Sequence, residues 1–215
     1  MQIPPDPPSN IRETTHFSIA GLEINLYIYV HFLLLLEGND VNRILLWEIT
    51  GIIFIVFLGS FMHFTYALSG DNPVVGAVSA VNESTWEHLK LSVFPALLFA
   101  LIESRLLAER KNFLPAKALG VSLMPIFTVV LFYAYRVFLP DSLFMDILVF
   151  VVAVIIGQIA SYMVMSSTRD FSRYNIASIA LLLLLPVLFV VFTFYPPQMF
   201  LFQDPISGGY GIGAG

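Results

Sequence analysis

The sequence has no cysteine and little charge, and each shortage excludes a class of protein. With no cysteine among its 215 residues, the chain has no disulfides, thiolate nucleophiles or cysteine metal ligands. Charged residues make up 12% of the chain, the net charge is -5, and no stripe rich in Lys and Arg runs along it. Nucleic acid is therefore excluded as a partner, because binding it requires such residues to neutralise phosphates.

Long apolar runs take the place of the missing charge. Hydrophobic residues make up 58% of the chain, and its mean hydropathy of +0.84 lies outside the usual soluble range. The runs fit a hydrocarbon core of about 30 Å, which about 20 helical residues cross. Stretches such as ILVFVVAVIIG are apolar on every face, which favours helices over alternating strands. The sequence predicts an all-α, polytopic transmembrane helical bundle with the lipid bilayer as its partner.

About five spans are predicted. They are residues 48–69, 88–108, 118–139, 143–166 and 174–196. Pro95, Pro125 and Pro186 lie inside three of them, a position that membrane helices tolerate. Residues 43–197 are predicted to form the transmembrane domain. Residues 198–215 are predicted to be an extracytoplasmic Pro/Gly-rich tail, either flexible or lying on the surface.

The basic residues predict the orientation. Arg43 precedes the first span; Arg110, Lys111 and Lys117 join the second and third; Arg169 and Arg173 join the fourth and fifth. The loops 70–87 and 140–142 contain neither Lys nor Arg. By the positive-inside rule, the basic segments are cytoplasmic and the C-terminus is extracytoplasmic, in a multi-pass protein of the cell membrane.

The N-terminal extension, residues 1–42, is open to three interpretations. Its apolar run INLYIYVHFLLLL is short for a span and lies between Glu23 and Glu37. It forms an interfacial helix, or a sixth span that recruits residues 17–23, or it results from a start site upstream of the native N-terminus.

The segment NESTWEHLK, residues 82–90, opens the second span and is unusually polar. Ser84 and Glu87 have the spacing of a capping box at a helix start. The twelve uncharged residues between Lys90 and Glu103 rise only about 18 Å, so at least one charged end of this helix lies at membrane depth. Ionisable groups there usually face a protein interior or a cavity. The second span is therefore predicted to form one wall of a polar site.

The predicted site lies between the outer ends of the first two spans, joined by the loop 70–87, which folds back into the membrane in one interpretation. Its lining residues are Ser60, Tyr66, Asp71, Asn82, Glu83 and Lys90. His63 and His88, with a carboxylate from Glu87 or Asp71, have the composition of a metal site with two histidines and one carboxylate. A divalent metal such as zinc is the candidate cofactor, and Glu87 is the candidate catalytic residue, as general base.

Two further polar groups are predicted to be structural. One is a patch of interhelical hydrogen-bond partners in the fourth span: Gln158, Ser161 and Tyr162. The other is a set of pairs at the outer end of the third span, where Tyr133, Tyr135 and Arg136 meet Asp141 or Asp146.

Three segments carry a family resemblance. They are LLWEITGIIFIVFLGSFMHFTYALSGDNPVVG leading into AVNESTWEHLK, then NFLPAKALG, and FTFYPPQMFLFQDPISGGYGI near the end. Over roughly residues 43–212 the chain resembles DUF6512, a family of prokaryotic multi-span membrane proteins of unknown function. The resemblance implies a small multi-span membrane protein and supplies no activity.

Three functions remain open, and the sequence does not decide whether the protein is an enzyme. In the first, it is a non-catalytic membrane subunit or assembly protein, and NESTWEHLK serves packing and capping. In the second, it is a membrane-embedded, metal-assisted hydrolase or lipid-modifying enzyme. In the third, it is a small oligomeric transporter. The expected protein partners are further copies of the chain, in a homo-oligomer, or the subunits of a larger membrane complex.

Overall fold

The computed structural model describes residues 40–213, and these form a bundle of helices, as predicted. The helices are α1 (Asp40–Leu68), α2 (Pro73–Gly76), α3 (Thr85–Leu107), α4 (Phe113–Phe138), α5 (Leu143–Met165) and α6 (Asn175–Phe194). Single 3-10 turns occur at Ser172–Tyr174 and Gly211–Gly213. The short apolar helix predicted within residues 1–42 lies outside the described residues.

Four of the helices, α1, α4, α5 and α6, are long and apolar enough to cross a membrane, which makes the chain an integral membrane protein. Helix α3 has 23 residues and is about 34 Å long at 1.5 Å per residue, but it is less apolar. Its Glu87, Lys90 and Glu103 are at most 1% exposed. Since these charges are covered by protein, α3 suits the second span predicted from the sequence, residues 88–108.

Each predicted span corresponds to one helix, and the largest difference lies at the start of the first. Helix α1 begins at Asp40, whereas the predicted span begins at residue 48. Hydropathy marks the part of a helix that suits lipid, and the helix itself continues into polar residues. The three prolines lie inside α3, α4 and α6, as predicted.

Helix α4 is the centre of the bundle and packs against α3, α5 and α6. It meets α5 through Gly120 and Gly157. A Cβ on Gly120 would lie 2.8 Å from the carbonyl oxygen of Gly157, and the reverse distance is 2.7 Å. The two backbones therefore approach closely because neither residue has a side chain, as is common between membrane helices.

A second close contact, between α1 and α3, positions the candidate site. A Cβ on Gly59 would overlap the carbonyl oxygen of Leu91, so the two helices approach closely only because residue 59 has no side chain. His63 follows Gly59 by one turn of α1, and His88 precedes Leu91 by one turn of α3. Because the two helices are antiparallel, both histidines lie about one turn from this contact on the same side of it, and their side chains therefore meet.

The tail, residues 195–213, is held against the start of α3. The backbone N–H of Trp86 donates to the carbonyl oxygen of Leu201 at 2.9 Å, and the amide of Asn82 donates to that of Gly211 at 2.9 Å. The ring of Trp86 packs against Phe202, with centroids 4.6 Å apart. Of the two forms predicted for the tail, the structure has the one that lies on the surface, and long-range hydrogen bonds hold it there.

Candidate functional site

Three side chains converge at the start of α3: one from α1, and two from the first turns of α3 and the loop just before it. The Nε2 atoms of His63 and His88 lie 3.1 Å apart. The Oε2 atom of Glu83 lies 3.3 Å from Nε2 of His88 and 3.7 Å from Nε2 of His63. We refer to His63, Glu83 and His88 as the histidine cluster. Among the described residues, it is the group of three or more His, Asp or Glu whose ligand atoms are close enough to share a metal ion.

The loop before α3 holds Glu83 in place through its backbone. The hydroxyl of Ser84 accepts from the N–H of Glu87 at 3.4 Å, which forms one half of the predicted capping box. The other half is replaced, because the N–H of Ser84 donates to Asn82 at 2.9 Å. The N–H of Glu83 donates to Asp204 of the tail at 3.3 Å. Glu83 is thus fixed on both sides and by the tail.

The orientation of His88 follows from a single contact. Its Nδ1 lies 2.9 Å from the carbonyl oxygen of Ser84, which can only accept, so Nδ1 carries hydrogen. In the neutral ring, Nε2 then presents a lone pair toward Glu83 and His63. A lone pair facing a carboxylate oxygen is unfavourable unless a proton or a metal cation lies between them. Metal-binding histidines typically use their other nitrogen in this way.

Glu83 is anionic at neutral pH. Without a metal, protons on the ring nitrogens of His63 and then His88 form hydrogen bonds to its carboxyl and hold the pKa of that carboxyl well below its usual range. The side chains of His63, His88 and Glu83 are 30%, 32% and 44% exposed. An anionic ligand and two imidazoles therefore meet at the surface of the bundle and not in its interior.

The distances within the histidine cluster match those around a zinc ion. A tetrahedral zinc with Zn–N bonds of about 2.0–2.1 Å separates its ligand atoms by about 3.3–3.4 Å. The three observed separations are 3.1, 3.3 and 3.7 Å. Within the plane of the three atoms, the point equidistant from them lies about 2.0 Å from each. This is a zinc–ligand distance. The residues present therefore fit a metal with three protein ligands and a fourth position open.

Glu87, the predicted general base, belongs to a different and fully buried group. Its Oε2 pairs with Lys90 at 2.5 Å and accepts from the N–H of Val81 at 3.2 Å. The Lys90 ammonium also donates to the Gly76 carbonyl and to the Thr193 hydroxyl, both at 2.8 Å, and that hydroxyl lies 3.0 Å from Oε1 of Glu87. We refer to Glu87, Lys90 and Thr193 as the Glu87 network. Its carboxylate is neutralised and satisfied, so it is not positioned to act as a base.

The other predicted lining residues are dispersed. Asn82 orders the loop and the tail, and Tyr66 packs beside Gly76. Asp71 is exposed beyond the end of α1 with a φ of 60°, and Ser60 is exposed on α1. The carboxylate beside the two histidines is thus Glu83, where the sequence had suggested Glu87 or Asp71.

A third polar group, which sequence reasoning did not assemble, lies further along the bundle. The ammonium of Lys117 contacts Oε1 of Glu48 at 2.8 Å and Oε2 of Glu103 at 2.5 Å. The Ser161 hydroxyl donates to the same Glu48 oxygen at 2.6 Å, and Gln158 donates to the Glu48 carbonyl at 3.2 Å. All five residues are at most 4% exposed. We refer to Glu48, Glu103, Lys117 and Ser161 as the Glu48 network; the available signal was Glu48 at the edge of an apolar span.

The fold and its buried charges define a polytopic helical membrane protein. Within that class, the chain belongs to a family of unknown function, DUF6512, which matches residues 36–212. This match confirms the resemblance seen in the sequence, and it includes the histidine cluster and both buried networks. No curated protein and no solved structure matches the chain.

Proposed function

We propose that this protein binds one divalent transition metal, zinc in the first place, at the histidine cluster and uses it for hydrolysis at the membrane surface. The observation that carries the proposal is the convergence of two imidazole nitrogens and one carboxylate oxygen on a single point. Imidazole ligands suit zinc, copper, iron and nickel. Two histidines with one glutamate and an open position form a common catalytic zinc set.

The open position supplies the chemistry. A zinc ion held there would lower the pKa of a water molecule to about 7, which would make hydroxide available at neutral pH without a separate strong base. This suits a site from which Glu87 is withdrawn by its pairing with Lys90. His63, Glu83 and His88 would hold the metal, and the Ser84 carbonyl would orient His88.

We further propose that the histidine cluster faces the outside of the cell membrane, because the loop that carries Glu83 contains no Lys or Arg. The absence of native cysteine makes single-cysteine labelling straightforward. Val74→Cys, in this loop, should react with a membrane-impermeant maleimide on intact cells. Thr168→Cys, in the basic loop between α5 and α6, should react only after permeabilisation. The reverse pattern would reject this orientation.

Metal analysis of detergent-purified protein tests the metal site. After chelation and exposure to zinc, wild type should retain about one zinc per chain after desalting. His63→Ala, His88→Ala and Glu83→Gln should lose it, while Asp71→Asn, an exposed carboxylate of the same region, should retain it. If wild type binds no zinc or other divalent transition metal, or if the cluster variants bind it as wild type does, the metal site is rejected.

A non-catalytic subunit or assembly protein is the second candidate, and the Glu87 network favours it. There, the most distinctive polar residues of NESTWEHLK serve to hold the loop, α3 and α6 together. This candidate predicts that His63→Ala and His88→Ala leave the protein's cellular role intact wherever the folded protein stays abundant.

A further inference from the structure

The Glu48 network holds an odd number of charges. Glu48 and Glu103 both form direct ion pairs with Lys117, at 2.8 Å and 2.5 Å. Among the residues that the structure describes, the other groups facing these carboxylates are the uncharged Ser161 and Gln158 of α5. With all three ionisable groups charged, the network would carry a net charge of -1 in a region closed to solvent.

Two of its carboxylate oxygens have neither a hydrogen-bond partner nor an ion-pair partner. These are Oε2 of Glu48 and Oε1 of Glu103, in residues that are 2% and 0% exposed. Oε2 of Glu103 also lacks a hydrogen bond but contacts the Lys117 ammonium. A buried, unpaired anionic oxygen is costly, because it loses its hydration without gaining a donor. Within the part of the chain that the structure describes, these two oxygens therefore receive neither a positive charge nor a hydrogen-bond donor.

We infer that the Glu48 network is a proton-binding site, in which Glu48 and Glu103 together hold one proton at neutral pH. The proton makes the network neutral and turns one unpaired oxygen into a donor. A metal cation suits the site less well, because hard cations take about six or more oxygen ligands. The network offers two free oxygens, and the ammonium of Lys117 already lies between the carboxylates.

The bound proton affects how four helices pack, because the site lies at their junction. Glu48 belongs to α1, Glu103 to α3, Lys117 to α4 and Ser161 to α5, so four helices meet at the titratable group. Loss of the proton would leave an uncompensated charge at their junction. The Glu48 network shares no residue with the histidine cluster, so proton binding here does not depend on metal binding there.

Infrared spectroscopy of the purified protein tests this inference directly. Wild type at neutral pH should show the carbonyl stretch of one buried protonated carboxyl group, assigned with isotope-labelled glutamate and a shift in heavy water. Glu48→Gln and Glu103→Gln should each abolish it, while Lys117→Met should add a second. Absence of the band, its persistence in both glutamine variants, or its appearance only after sodium is removed would overturn the inference.

Thermal unfolding of the same variants gives a second test. Either glutamine substitution alone leaves one carboxylate for one ammonium, so the melting temperature should stay within a few degrees of wild type. The double variant leaves Lys117 buried without a counter-charge and should melt far lower. Two single effects that are each large and that add in the double variant would contradict a shared proton.

Discussion

The two buried ionic networks of this protein differ in how completely their charges are balanced. The Glu87 network pairs one carboxylate with one ammonium, and donors reach both oxygens of Glu87. The Glu48 network pairs two carboxylates with one ammonium and leaves an oxygen of each without a partner. The balanced charges of the Glu87 network suit a purely structural role. The surplus carboxylate of the Glu48 network can bind an exchangeable proton.

The comparison shows that burial of a charge does not by itself indicate its role. Both networks include a glutamate of α3 and a lysine, and both are almost fully buried. Removing one partner of a buried pair leaves an uncompensated charge, whereas neutralising a surplus carboxylate does not. The same Glu→Gln change should therefore be strongly destabilising in the Glu87 network and nearly neutral in the Glu48 network.

The largest expected effect is that of Glu87→Gln, which leaves the Lys90 ammonium without a counter-charge. Breaking a buried pair in this way costs about 3–5 kcal/mol. Unfolding in mild detergent, followed by helical circular dichroism, should show a much lower midpoint for Glu87→Gln than for Glu103→Gln. Equal midpoints for the two variants would contradict the proposed difference in charge balance between the two networks.

A smaller effect on the free energy of unfolding is expected for loss of the Thr193 hydroxyl, and a still smaller one for loss of the Ser161 hydroxyl. Thr193 contacts both Lys90 and Glu87, so the isosteric Thr193→Val should cost about 1.5–3 kcal/mol, as for hydrogen bonds to charged groups. Ser161→Ala should cost less, because Lys117 still contacts the same oxygen of Glu48. The measurement is the free energy of unfolding of both variants. A larger loss for Ser161→Ala would contradict the view that the hydroxyl of the Glu87 network contributes more to stability than that of the Glu48 network.

The smallest effect concerns Asp204, a carboxylate outside the spans that serves as a reference for acid titration. Burial raises its pKa, but hydrogen bonds from Ser207 outweigh this and leave it below its usual value. A lowered pKa contributes stability that is present above about pH 4 and is lost as the pH falls further. Wild type should therefore loosen its tail in acid, as measured by hydrogen exchange at Trp86.

Asp204→Asn is the matched control for that titration. Its exchange at Trp86 should be faster at neutral pH and should change little as the pH falls. If wild type and Asp204→Asn respond alike to acid, Asp204 does not hold the tail.

The helices and several local pairs were predictable from the sequence because their signals are local. Apolar runs gave five helices with similar bounds, and the Ser84 cap follows from its position before an apolar run. The predicted pairing at the end of α4 is also present, with Tyr135 bonded to Asp146 and Arg136 to Asp141.

The partners of the buried charges were not predictable, because they depend on which helix faces join. The sequence placed Glu83 and Glu87 close together, but only the packing of α1 against α3 directs Glu83 to His63 and His88. It is the position of α6 that brings Thr193 to Glu87. Lys117 followed the charge rule for a cytoplasmic loop and gave no sign that it pairs with both Glu48 and Glu103.

X-ray absorption at the zinc edge of the zinc-loaded protein tests the proposed metal centre most directly. We expect a site of four or five ligands with two histidine nitrogens and at least one oxygen, at about 2.0–2.2 Å. In His63→Ala and His88→Ala the histidine signal should weaken or the zinc should be lost. A spectrum of zinc surrounded by six oxygens, unchanged in both variants, would contradict the account.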